Sequence, residues 1–146
     1  DCFAMIISPG MRLIDGSWLE RVIAHTIEAG NQNFWMKAPI DITESVENYY
    51  QTGQLSPFGI YPTRSRCLGK FIAYTRQEYP KQSFTETLTT LMRSQQHPRI
   101  SQWISPRVVV APFGVATRSE SEDVERIRRY FPDVAYIDFI RRNKPS

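Results

Sequence analysis

Apolar positions along this chain recur with two different periods. β-branched and aromatic runs mark strands, and spacings of three and four mark helices. The clearest unit runs from Arg107 to Phe139. Val108, Val109 and Val110 favour an extended backbone, because a branched Cβ fits a pleated surface. Ala111-Pro112-Phe113-Gly114 then reads as a turn: Pro112 removes a backbone donor and Gly114 permits a sharp bend. Ser119 and Glu122 have the S-x-x-E spacing of a capping box. Behind them Val124, Ile127 and Phe131 repeat on one helical face until Pro132. Val134 to Ile140 is a second extended run. The pattern predicts strand–helix–strand.

The start of the chain repeats that order. Phe3 to Ser8 predicts a strand and Pro9-Gly10 a turn. Ser17 and Glu20 predict a capped helix reaching about Ala29, with Trp18, Val22, Ile23 and Ile27 as its buried stripe. Asn33 to Ile40 predicts the next strand. In the middle, Asp41 and Glu44 mark a helix start that closes at Gly53. A helix over about Arg64–Tyr79 carries Leu68, Phe71, Ile72 and Thr75 inward. Ser83 and Glu86 cap a further helix with Leu88, Leu91 and Met92. Ile100–Ile104 fits a short strand or a loop. The segments Ser56-Pro57-Phe58-Gly59 and Ala111-Pro112-Phe113-Gly114 are each followed by a Thr-Arg-Ser, which reads either as a diverged internal repeat or as a common turn composition.

Two strand–helix–strand units at the ends of one chain can interleave their strands in a single sheet. The expected fold is therefore α+β, a ferredoxin-like βαβ…βαβ two-layer sandwich with a helical insertion. Residues 1–40 form the first unit, 41–105 the helical middle and 106–146 the second unit. A length of 146 residues suits one such domain.

The run Arg107-Val108-Val109-Val110-Ala111-Pro112-Phe113, its helix, and Val134-Ala135-Tyr136-Ile137 resemble one half of a SPOR (sporulation-related repeat) domain. Ala111 stands where that family usually has glycine. The likeness extends loosely to Phe3–Ile40, and 41–105 has no counterpart. The resemblance implies a βαββαβ fold with an antiparallel sheet. It also implies a bacterial envelope location and binding to the glycan strands of peptidoglycan.

Composition changes this picture little. The 41% hydrophobic and 23% charged residues are those of an ordinary globular chain. No apolar run reaches the roughly 20 residues that span a bilayer. The net charge of +3 permits an anionic partner without requiring one. Phosphate-cradling glycine loops, a nucleophile elbow and zinc-ligand spacings are absent from the sequence, so neither a cofactor nor a metal is expected. His25 and His97 lie outside any catalytic motif, and a dyad of either with Cys67 has nothing around it to support it. Cys2 and Cys67 either remain two thiols or pair in an oxidising compartment.

Basic residues gather in two places. Arg64, Arg66, Lys70 and Arg76 are interleaved with Tyr61, Phe71 and Tyr74; Arg126, Arg128, Arg129, Arg141, Arg142 and Lys144 lie beside several acids. The first group is less balanced and is the better anion-contacting patch. Strand alternation puts Arg107, Tyr136 and Asp138 on the sheet face away from the helices, where they could hydrogen-bond sugar hydroxyls and stack on a ring. The expected function is a non-catalytic binding module taking a glycan strand or a protein partner. The alternatives are a nucleic-acid-binding domain and an enzyme whose site no motif marks. The ligand-binding candidates are Arg107, Tyr136, Asp138, Arg64, Arg66 and Lys70.

Overall fold

A computed structural model describes residues 2–27, 33–42, 55–117 and 124–139. In chain order the elements are β1 (Phe3–Met5), β2 (Met11–Leu13), α1 (Trp18–Thr26), β3 (Met36–Ile42), β4 (Ile60–Pro62), α2 (Arg66–Glu78), α3 (Phe84–Met92), α4 (Pro98–Ile104), a 3-10 turn (Ser105–Arg107), β5 (Val108–Thr117), α5 (Val124–Tyr130) and β6 (Tyr136–Phe139). The fold is α+β, as expected. The predicted helix after Asp41, the Ser119–Glu122 capping box and the basic tail after Phe139 lie outside the described residues, except that Asp41 itself ends up in β3.

The strands form one mixed sheet in the order β1-β4-β3-β5-β6-β2. The outer pairs, β1–β4, β3–β4 and β2–β6, are antiparallel, while β3, β5 and β6 run parallel. This is not the interleaved antiparallel sheet of a ferredoxin-like sandwich. The strands that close the two predicted units, β3 and β6, flank β5 in a parallel core, and β2 and β4 border that core.

The sheet is curled. β1 and β2 lie on opposite edges, yet only residues 6–10 separate them. Five strand spacings of about 4.8 Å would put the edges of a flat sheet about 24 Å apart. The six peptide steps from Met5 to Met11 span at most about 20–22 Å fully extended, and this link turns at Pro9-Gly10. The edges must therefore bend toward each other. Ile6 N–H donates to Gly59 O (3.0 Å) and Phe139 N–H to Gly10 O (3.1 Å), fastening the link at both ends.

Residues from both edges meet on the inner side. Met5, Met11, Ile60, Phe113, Tyr136 and Val22 of α1 share one apolar cluster. The outer side carries two further clusters. Met36, Ala38 and Val108 pack under α2, α3 and α4 through Leu68, Phe71, Leu88, Leu91 and Ile104. Ile40, Ile42, Val115 and Ile137 pack under α5 through Ile127 and Phe131. Helices thus cover both sides, and β3 is buried along its whole length. Burial on both faces is usual for a strand of a parallel core, though here it takes in the charged Lys37 and Asp41.

Several local expectations change. Ile100–Ile104 belongs to helix α4, whose Pro98 takes the first helical position, where a missing N–H costs nothing. The Ser17 capping box does not form, because Ser17 Oγ donates instead to Asp15 Oδ1 (2.7 Å). In α1 only Val22 of the predicted stripe is buried, while Ile23 and Ile27 are 48% and 65% exposed. The expected turn at Ala111–Gly114 is a bulge inside a continuing strand: Pro39 pairs with Ala111 and Ile40 with Val115, leaving three extra residues in β5. Val110, beside that bulge, joins none of the three clusters and is 53% exposed. Ser83 does cap its helix, accepting from Glu86 N–H (3.2 Å), and Ser65, not foreseen as a cap, accepts from Leu68 N–H (3.1 Å) at the start of α2.

Candidate binding cleft

The site starts with the pairing of β1 and β4. This register sets Phe3 opposite Pro62, and Thr63 N–H and Oγ1 both donate to Cys2 O at 3.0 Å. The chain turns at Thr63-Arg64 and enters α2 at Ser65, so the N-terminus of that helix stands beside the start of β1. On the other side, Trp35 N–H donates to Arg107 O (2.7 Å), which joins the approach to β3 to the 3-10 turn before β5. Between these segments lies a cleft of about 460 Å³, lined by Cys2, Phe3, Phe34, Trp35, Arg64, Cys67 and Arg107 among others. That volume suits a small ligand or part of a larger one.

Aromatic rings form the floor. Phe3 stacks on Phe34 with ring centroids 5.5 Å apart and planes at 16°. Phe34 is buried and Phe3 is partly open to solvent. Trp35 lies below, packed on Phe71 (4.7 Å) and edge-on to Trp103 (5.0 Å). The Arg107 guanidinium lies over the Trp103 ring at 4.8 Å and over Trp35 at 5.7 Å, and Nη1 donates to Trp103 O. A guanidinium held against indole rings keeps donors free for a ligand while its position is fixed by packing. Among the described residues the lining contains Arg64 and Arg107 and no acid, and neither arginine forms a salt bridge. The α2 N-terminus adds to the positive potential.

The predicted ligand residues therefore separate. Arg64 and Arg107 come together in this cleft. Arg66 and Lys70 are exposed on α2 but do not line it. Tyr136 and Asp138 are fully buried on the inner side of the sheet and share no open face with Arg107. Helix α1 and the link between β1 and β2 occupy the face that sequence alternation leaves open. Tyr136 Oη donates to Phe58 O (3.2 Å), and its ring lies over Gly114, where a Cβ would stand 2.5 Å from Oη. Burial, with the nearby Asp138 charge and Tyr61 adding to it, pushes the Tyr136 phenol well above its usual range. Burial pushes Tyr61 up to about 12. Burial also raises Asp138, and Ser8 opposes this only partly, since neither Asp138 carboxylate oxygen has a hydrogen bond of ordinary geometry. These are packed polar groups of the interior.

Sequence reasoning did not bring Phe3, Phe34 and Trp35 together, and it left the pairing of Cys2 with Cys67 open. Phe34 and Trp35 read as strand residues, and only the sheet order carries them to β1 and α2. Neither His25 nor His97 lines the cleft with Cys67. A second depression, of about 510 Å³ and bounded by Leu55, Gln82, Ser83, Thr85 and Glu86, has neither a cation nor an aromatic ring in its lining. Among the described residues, no three His, Cys, Asp or Glu side chains are grouped to hold a metal ion, and no helix is long and apolar enough to cross a membrane. No family model, curated protein or solved structure matches this chain.

Proposed function

We propose that the protein is a binding module for single-stranded nucleic acid, with the cleft between β1, α2 and the turn before β5 as its contact site. The observation that carries this reading is the convergence of Arg64 and Arg107, with no acid among the described lining residues, on a cleft floored by the Phe3–Phe34 stack and Trp35. Phosphate requires fixed donors, and a base requires a flat apolar surface to stack on; one ligand class presents both together. Phe3 offers the accessible ring, and Arg107, held on Trp103, offers the positioned guanidinium. Single strands suit such a site better than a duplex, because their bases are free to leave the stack.

The test is a titration of labelled single-stranded oligonucleotides by fluorescence anisotropy, with isolated glycan strands as the competing ligand. Two phosphate contacts should give log K a slope of about −1.4 against log salt, roughly −0.7 per contact. Arg64→Ala and Arg107→Ala should each weaken binding and flatten that slope by about 0.7. Phe3→Ala should lower affinity by about 1–3 kcal/mol without changing the slope. Binding of glycan strands with little salt dependence, and no binding of oligonucleotides, would replace this reading with the envelope-module expectation.

A further inference from the structure

The cleft contains a second kind of chemistry. Cys2 and Cys67 both line it, and both are exposed free thiols. They come from two neighbouring segments of its lining. Cys2 directly precedes β1, where its carbonyl accepts two hydrogen bonds from Thr63. Cys67 lies four residues beyond Thr63, in the first turn of α2, after the Ser65 cap. Thr63 pairs with Cys2 across the sheet edge, and Cys67 follows Thr63 by four residues, so the two cysteines lie on neighbouring segments. β1 is a three-residue edge strand, and short edge segments can move a little without breaking a core. Two thiols lining one cleft, one of them just before a short edge strand, can be brought to disulfide distance by movement of that edge.

We infer that Cys2 and Cys67 form a redox-responsive dithiol site, reactive toward low-molecular-weight disulfides, whose internal disulfide bridges the cleft and closes it. One thiol, as thiolate, attacks a sulfur of the small disulfide; the protein–small-molecule mixed disulfide forms, the small S–S bond breaks, and the leaving thiolate takes up a proton. The second protein thiol, also as thiolate, attacks the protein sulfur of that mixed disulfide and releases the second small thiol. The protein loses two electrons and two protons, and one small disulfide becomes two small thiols. The bridge fixes the start of β1 against α2, across the route to Phe3 and Arg64. The closure rests on the cleft being the ligand site; the bridge does not.

The experiment incubates the folded full chain with oxidised glutathione, then measures mass, free thiols and oligonucleotide binding. The expected result is a loss of two hydrogens, no free thiol and no retained glutathione, with affinity for a single-stranded oligonucleotide lowered about tenfold or more, that is by at least roughly 1.4 kcal/mol. Dithiothreitol should restore both thiols and binding. Cys2→Ser and Cys67→Ser should each stop at a single mixed disulfide. Two retained glutathiones, or two thiols still titrating, would overturn the bridge. A bridged protein that binds as the reduced one does would overturn the closure. A reduced protein with no affinity for oligonucleotides would refute the cleft's function and the closure with it, while mass and thiol count would still decide the bridge.

Discussion

Asp138 shows how much one side chain can depend on its surroundings. In the sequence it is an acid inside an apolar strand, which on an open-faced sheet would simply meet water. In the fold it is fully buried, and Gly10 packs so closely that a Cβ there would be 3.0 Å from Asp138 Oδ1. Burial raises its pKa, so the folded protein holds this proton more tightly than the unfolded chain does. The sign follows from linkage: the contribution to stability is fully present below the unfolded value, near 3.8, and is lost as pH rises through the raised folded value. Asp138→Asn should therefore raise the melting temperature at neutral pH and leave it nearly unchanged at the acid end of the range in which the protein remains folded. Thermal unfolding of parent and variant over a pH series checks this; equal shifts at every pH would refute it.

Among the elements, α5 and β5 separate periodicity that reports burial from periodicity that does not. Ile127 is fully buried between α5 and the outer side of the sheet, as its helical spacing implies. Val110 has the same apolar character and the strand phase of Val108, yet the bulge after Ala111 leaves it 53% exposed. Ile127→Ala should thus cost about 2–5 kcal/mol through lost burial and a residual cavity. Val110→Ala should stay within about 0.5 kcal/mol, the range of surface positions. Urea unfolding of the two variants measures both; a Val110→Ala loss comparable to that of Ile127→Ala would show that Val110 is covered. The bulge is difficult to foresee because Pro112 and Gly114 are also the residues of a turn. Whether the chain reverses or the strand resumes depends on β3 offering Ile40 to Val115.

At the scale of the whole molecule, the curl brings the edges of the sheet toward each other, and the Pro9-Gly10 link between them packs closely against β6. A Cβ on Gly10 would stand 2.6 Å from Phe139 O, the carbonyl of an adjoining strand that cannot swing aside like a flexible side chain. Gly10→Ala should therefore push β2 away from β6 and destabilise by about 1–3 kcal/mol, as overpacking does. Gly16, with nothing within 4 Å of its added Cβ, supplies the control: Gly16→Ala should change stability by no more than about 0.5 kcal/mol. Denaturant midpoints of the two variants compare them, and equal midpoints would mean that the link is looser than its packing indicates.

Local patterns carried most of the elements. The β-branched run of β5, the serine cap of α3 and the stripe of α5 can all be read from residues within a few positions of one another, because capping and periodicity act over one or two turns. The clustering of basic residues around Arg64 was likewise legible in the sequence. Strand order was not, since it depends on pairings between residues far apart in the chain. Two strand–helix–strand units are compatible with an antiparallel interleaved sheet and equally with the parallel β3-β5-β6 core found here. That choice moved Tyr136 and Asp138 from an imagined open face to the interior. It also brought Arg107 from the end of the 3-10 turn to Arg64 at the entrance to α2, and placed Cys2, Phe3, Phe34, Trp35 and Cys67 around one cleft. Burial and the meeting of distant side chains follow from sheet order and curl, and both are set by contacts that no short window of sequence contains.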